Sequence, residues 1–338
     1  MTHASPAPAA GLGPDLLAAG ARAGDRGGRV AVRSFGRPEA EAAAARDGAA
    51  VVPLAGFAVH AVTGADARAF LHRMLSQDVK GIAPGDGRPA TFLDVRGRVQ
   101  GDPVVLATAA GFLLAEEPAA AARVVPGLER YVIADDVVFA DVGAAHDAVV
   151  LAGAGASAVA AAALPSLRAA GAVAASLGWR SGGATLVVAP AAARVFVALV
   201  AAGATPAGEH ALDVARVAAL APWFGAELDD RVLPNEAVHD AAVSFTKGCY
   251  LGQEPVVMAR HRGRPPTTLV RLAVDGAAAP AREAVVVHDG RRAGRVTTGV
   301  ATDGRAAALA LVRTDLARAG VALALEDGRR AVVEAVAT

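Results

Sequence analysis

The chain has 338 residues, with 33 basic and 33 acidic side chains, a formal net charge of zero and one cysteine. That length fits two or three domains with a sizeable core, and the charge balance excludes a global basic field for nucleic acid or an acidic tail for a basic partner. One thiol excludes an intramolecular disulfide or a four-thiolate cluster, so any sulfur chemistry is that of one nucleophile or one ligand. The N-terminus lacks a cationic segment followed by an apolar run, and the longest uncharged stretch, residues 148–167, is mostly Ala and Gly with Pro165 inside it. It barely reaches the ~20 residues of a membrane span. A cytoplasmic protein without a membrane partner is expected.

Residues 1–47 are rich in Ala, Gly, Pro and Arg without a steady apolar period and predict a loosely ordered leader. From there "VVPLAGFAVHAVTG" alternates like strand, and "ADARAFLHRMLSQDV" places Phe70, Leu71, Met74 and Leu75 on one helical face. "PATFLDVRGRVQGDPVVLAT" reads as β segments around Arg96-Gly97-Arg98, and "GFLLAEE" adds a strand. A helix over "AAAARVVPGLER" and a strand over residues 137–139 follow.

"AVVLAGAGASAVAAAAL" then sets Gly153, Gly155 and Ala158 in a G-x-G-x-x-A spacing, the outline of a dinucleotide fingerprint. The fingerprint needs an acidic residue about 20 positions on. After Asp147 the next one is Glu209, so a tight strand-to-helix turn is predicted and no flavin or nicotinamide site. The helix "EHALDVARVAALAPWFG" leads through "AELDDRVLPNEAV" to "SFTKGCYLGQEPVVMARHRGRPP", which carries the cysteine. Beyond it, short β runs separated by Asp289-Gly290 and Asp327-Gly328 predict a small C-terminal barrel.

The octapeptide "KGCYLGQE", residues 247–254, resembles the K-G-C-[FY]-x-G-Q-E signature of the YgfZ-type folate-binding proteins, relatives of the glycine cleavage T-protein (aminomethyltransferase). "VTGADARAFLHRMLSQDV", "FLDVRGRVQGDPVV", "PWFGAELDDRVLPNEA" and "AGRVTTGV" resemble further family segments in the same order, so the likeness spans roughly residues 48–338. It implies an α+β fold in three parts, with two α+β folate-binding subdomains over residues 48–265 and a C-terminal β-barrel over 266–338. It also implies a tetrahydrofolate site and an accessory or repair role for iron–sulfur proteins, including those that thiolate tRNA. Reduced folate and iron–sulfur client proteins are the partners that follow. No permanently bound metal is expected, and nothing in the sequence supports direct nucleic-acid contact.

The resemblance assigns chemistry to Cys249 and its neighbour Lys247, whose charge would favour the thiolate. The alternative is a small thiol filling a turn. Gly248, Tyr250 and Gly252 shape the loop; Gln253 and Glu254 either meet a ligand or start a helix. Arg264, in the basic cluster from Arg260, could meet the anionic tail of folate or a phosphate backbone, or simply face water. Asp102 is the candidate pterin anchor, with a solvated hairpin-end aspartate as its plainer reading. T-proteins carry G-G-x-x-D-D at that turn, whereas this chain reads G-R-V-Q-G-D; the pterin-recognising glutamate of an R-T-G-Y-T-G-E-x-G segment has no acidic counterpart in "GWRSGGATLVV". These departures favour a folate-binding factor that is not a conventional enzyme, with tetrahydrofolate-dependent aminomethyl transfer and a non-catalytic interaction module as alternatives.

Overall fold

The computed structural model describes residues 12–179, 183–237, 240–262 and 265–337, excluding the side chains of His261 and Arg262. The leader expectation fails over residues 12–47, which fold as α1 (Pro14–Ala18), a hairpin of β1 (Arg22–Arg26) and β2 (Arg29–Ser34), and α2 (Pro38–Asp47). Proline opens α2, where its fixed φ suits the first turn. Glu41 accepts the N–H groups of Phe35 and Arg37 at 2.8 and 2.9 Å, and its other oxygen takes the Gly208 N–H at 3.0 Å. Ala42, Ala45 and Val32 are buried, as are Arg29 and Glu41. Small side chains and buried ion pairs hold this segment, which is why a search for bulky apolar periodicity passes over it.

The next elements are β3 (Ala50–Pro53), β4 (Ala58–Thr63), α3 (Ala67–Met74), β5 (Asp86–Pro89), β6 (Phe92–Leu93), β7 (Val99–Gly101), β8 (Val104–Ala107) and β9 (Phe112–Glu116). They are followed by α4 (Pro118–Glu129), β10 (Val138–Asp141), β11 (His146–Ala152), α5 (Ala156–Ala169), β12 (Val173–Ser176), β13 (Ala184–Pro190), α6 (Val195–Ala201), β14 (Thr205–Pro206) and α7 (Glu209–Ala219). Ten of these strands form one sheet in the order β10-β4-β9-β8-β5-β12-β13-β11-β3-β14. Its pairs are antiparallel except β5 with β12 and β3 with β14. The β5–β12 pair divides the sheet into two five-strand halves, and β3 crosses into the far half to pair with β11, Val149 facing Pro53. The glycines of the fingerprint-like turn serve this crossing. Gly153 has φ +113°, and a Cβ there would sit 2.3 Å from the Gly48 carbonyl, which accepts the Gly155 N–H at 2.7 Å.

After the short α8 (Pro234–Ala237) and α9 (Gln253–Arg262) the chain enters a closed barrel. Its strands are β15 (Thr267–Val274), β16 (Val285–His288), β17 (Arg291–Thr302), β18 (Arg305–Arg313), β19 (Ala322–Leu325) and β20 (Arg330–Val336). Asp289-Gly290 has φ +48° and +70°, the pair of positive values that a two-residue hairpin turn needs, and Asp303-Gly304 repeats it. Val270, Leu272, Val296, Ala310 and Val312 fill the barrel. Leu269, Val300 and Leu309 instead pack with Val214 and Val217 of α7 and with Phe224. The predicted α+β class with a small C-terminal barrel is the observed one.

Candidate functional site

Asp102 lies in the bend between β7 and β8, where Gly101 ends one strand and Pro103 precedes the next. It is half-buried and lines a cavity of about 40 Å³ whose walls include Phe57, Trp179, Leu186 and Trp223. One carboxylate oxygen accepts the Phe224 N–H at 3.2 Å. Burial pushes the Asp102 carboxyl up to about 8, and the nearby Glu117 adds to the shift, against a smaller opposing pull from Arg216. At neutral pH the cavity therefore presents a carboxyl that retains its proton until a donor or cation draws it off.

Two glutamates close β9 beside it. Glu117 is the N-cap residue of α4 and accepts two bonds from Arg29, at 2.9 and 3.0 Å, and one from Trp223 Nε1 at 2.8 Å. Burial opposes its ionisation, but Arg29 and Trp223 outweigh it and hold the carboxyl below its usual range. Glu116 points elsewhere. It is 1% exposed, and neither carboxylate oxygen has a hydrogen-bond partner. Burial, and then Asp102, hold it well above the ordinary glutamate range.

Gly101 stands where the T-protein turn has its first aspartate, and it has no room for one. A Cβ there would lie 2.2 Å from Val124 Cγ2 and 3.1 Å from Glu116 Oε2.

Below the aromatic walls runs a network of buried charge. Arg29 also donates to Glu209 at 2.7 and 3.0 Å, and Arg26 forks onto Asp213 at 2.9 and 3.0 Å. Burial works against Asp213, yet Arg26 and Arg216 hold its carboxyl down at about 2. Arg216, wholly buried in α7, donates to Glu227 at 2.8 Å and to Thr298 Oγ1 at 3.0 Å. Glu227 in turn accepts Thr297 and Thr298 at 2.7 and 2.6 Å, so the T-T pair of "GRVTTGV" locks the barrel to α7. A second cavity of about 320 Å³, lined by Arg26, Arg33, Glu117, Arg216, Arg282 and Thr298 among others, opens beside this network.

The cysteine loop is elsewhere. None of residues 247–254 lines the Asp102 cavity. Lys247 Nζ donates to the carbonyls of His72, Leu75 (2.6 Å) and Gln77 (3.0 Å), capping the C-terminal end of α3. Burial lowers its ammonium to about 8. Tyr250 is buried with its hydroxyl unpartnered, and burial pushes that hydroxyl up to about 12.

Gly252 has φ +77° and presses on the β6–β7 turn, where a Cβ would come within 2.4 Å of the Asp94 carbonyl. Gln253, half-buried, and Glu254, exposed, open α9. Packing thus accounts for Lys247, Tyr250 and Gly252. It accounts for neither Gly248, with no heavy atom near its α-carbon face, nor Cys249, which is exposed. Arg260 stacks over the Phe245 ring at 3.8 Å, and Arg264 falls outside the described residues.

The resemblance led to Asp102 but not to Arg29, Glu116, Glu117, Arg216 or Glu227. The one available signal was a pair of glutamates ending the otherwise apolar run "GFLLA".

Comparison with known proteins follows the same geography. Residues 14–178 match the family model of the GCVT N-terminal domain. A curated aminomethyltransferase of Geobacillus kaustophilus is 35% identical over 136 residues, 38% of this chain and 37% of that protein. One from Streptomyces coelicolor is 36% identical over 117 residues, 33% of this chain and 32% of that protein. The chain thus spans about a third of the length of these relatives. The crystal structure of the glycine cleavage system aminomethyltransferase T from Bartonella henselae superposes with a TM-score of 0.78 at 20% identity, covering 95% of each chain. The fold is therefore that of the aminomethyltransferase T-proteins, and the matched N-terminal half supports the T-protein superfamily.

The family binds tetrahydrofolate, and the Asp102 cavity has suitable chemistry for its pterin: a carboxyl for the amino edge and aromatic walls for the ring faces. Its volume is nearer that of a water molecule or two than that of a bicyclic ring. A pterin would fit there only with one of these walls displaced.

Proposed function

We propose that this protein binds reduced folate with the pterin held by Asp102 between Phe57, Trp179 and Trp223, and that it handles a one-carbon unit in the manner of an aminomethyltransferase. The observation that carries this reading is the half-buried Asp102 carboxyl, raised to about 8, facing an aromatic-walled cavity in a T-protein fold. A bound reduced folate would supply the carrier for the one-carbon unit. The chain's own part is to orient that carrier, to exclude water with the two tryptophans, and to hold or release a proton at the Asp102 carboxyl. The named relatives favour aminomethyl transfer over the other roles. The test is methylene transfer from an aminomethylated lipoyl carrier protein to tetrahydrofolate by the full chain. Transfer lost in Asp102→Asn supports the reading; tetrahydrofolate binding without transfer would leave a binding protein only.

A second reading rests on Cys249. Its exposure, in a loop where packing accounts for Lys247, Tyr250 and Gly252 but not for the thiol, favours a role in maintaining iron–sulfur proteins that is separate from the folate cavity. A deletion strain carrying Cys249→Ala, assayed for iron–sulfur enzyme activity and tRNA methylthiolation, tests it. Full activity with the alanine variant would remove the thiol from any such role.

A further inference from the structure

Behind Asp102, outside the cavity lining and against Gly101, the residue before it, lies a second carboxyl that the reading above does not use. Glu116 ends β9 one residue before Glu117, is 1% exposed, and offers both oxygens to no donor. Its surroundings are aliphatic or bare backbone: Gly101 of β7 approaches Oε2, and the same spot is walled by Ala120 and Val124 of α4. Ala58 of β4 is its cross-strand neighbour. The charged group acting on it is Asp102. Asp102 differs in each respect: it accepts the Phe224 N–H, feels the Arg216 guanidinium as well as the Glu117 carboxylate, and opens onto the cavity.

A carboxylate without a donor in an apolar setting is costly, and two neighbouring buried carboxyls resist a second ionisation. We propose that Asp102 and Glu116 act as one carboxyl pair that takes a single negative charge, always on Asp102, with Glu116 a positioning residue that keeps its proton and so fixes where a ligand's donor edge is drawn. When a donor edge or a cation engages Asp102, the proton leaving that carboxyl passes to the solvent buffer and the Glu116 proton stays.

Two measurements test the pair, and only the second rests on the folate reading. In infrared spectra of the ligand-free full chain, a protonated-carboxyl band should persist at pH values where the Asp102 band has already been lost, in wild type and in Asp102→Asn, and vanish in Glu116→Gln. The Asp102 band should titrate near 8 in wild type, with Glu116→Gln moving it by less than about half a unit. Loss of the high-pH band in wild type, or a fall of the Asp102 midpoint by about one unit or more in Glu116→Gln, would show that Glu116 carries charge and overturn the proposal. In calorimetry near neutral pH, using buffers of different ionisation enthalpy, tetrahydrofolate should release close to one proton on binding wild type and none on binding Asp102→Asn. Binding to wild type without proton release would also overturn it. Failure to bind at all would sink the folate reading alone, and the infrared result would still decide the pair.

Discussion

Asp102 is where a single side chain has the largest expected effect. Its carboxyl titrates near 8 when folded and near 3.8 in the unfolded chain, so the folded state binds the extra proton between those values. The stability it contributes is full below about pH 4 and is lost as pH rises through 8. Asp102→Asn should therefore gain stability relative to wild type as pH rises over that window, read as the difference in urea midpoints at pH 4 and pH 8.5. The same substitution should weaken tetrahydrofolate binding roughly tenfold, about 1.4 kcal/mol, if the carboxylate pairs with the pterin. Cys249→Ala should change stability by less than about 0.5 kcal/mol, as exposed substitutions do, and native wild type should react with a thiol reagent without unfolding. A slow, unfolding-limited reaction would contradict the exposed placement.

Among the elements, the cysteine loop shows how far a motif can be read in two ways. Lys247 was expected beside the thiol as its activator, yet its ammonium caps α3; Gly252 was expected to shape a binding turn, yet it lets the loop touch the Asp94 carbonyl. Sequence spacing brings Lys247 and Cys249 within two residues, but direction decides partners, and the lysine side chain reaches three carbonyls at positions 72, 75 and 77. Gly252→Ala should accordingly cost about 1–3 kcal/mol by urea denaturation, from the positive φ and the carbonyl clash together. An unchanged midpoint would mean that the β6–β7 turn yields freely.

From residue 50 onward, elements such as α3 were legible because their apolar faces repeat at strand or helix period, as Phe70, Leu71 and Met74 do, whereas β5, α6 and the two-residue β14 were not read. The elements before residue 48 were not, because Arg29 and Glu41 look like surface residues until Glu117, Glu209 and the Gly208 amide are brought to them from far along the chain.

For the whole molecule, the decisive joint is the ion pair between Arg216 and Glu227 with Thr297 and Thr298, which fastens the barrel to α7. Removing one member leaves a buried charge unanswered, so Arg216→Met should destabilise by about 3–5 kcal/mol, visible as a lowered thermal midpoint. Glu227→Gln, which keeps the volume but loses the charge, should do the same through the stranded guanidinium. If both variants unfold like wild type, the barrel is held by its apolar contacts with Val214 and Val217 alone.

The crossing of β3 has a consequence for how the chain is made. Its neighbours in the sheet, β11 and β14, are synthesised about 100 and 150 residues later, so the first strand of the sheet emerges from the ribosome with neither edge covered. It must stay unpaired while α3, α4 and the near half of the sheet are translated, and only when residue 206 has appeared can both of its edges close. Nascent chains stalled before that length should expose "AVVP" to chaperones and proteases, and those stalled beyond it should not.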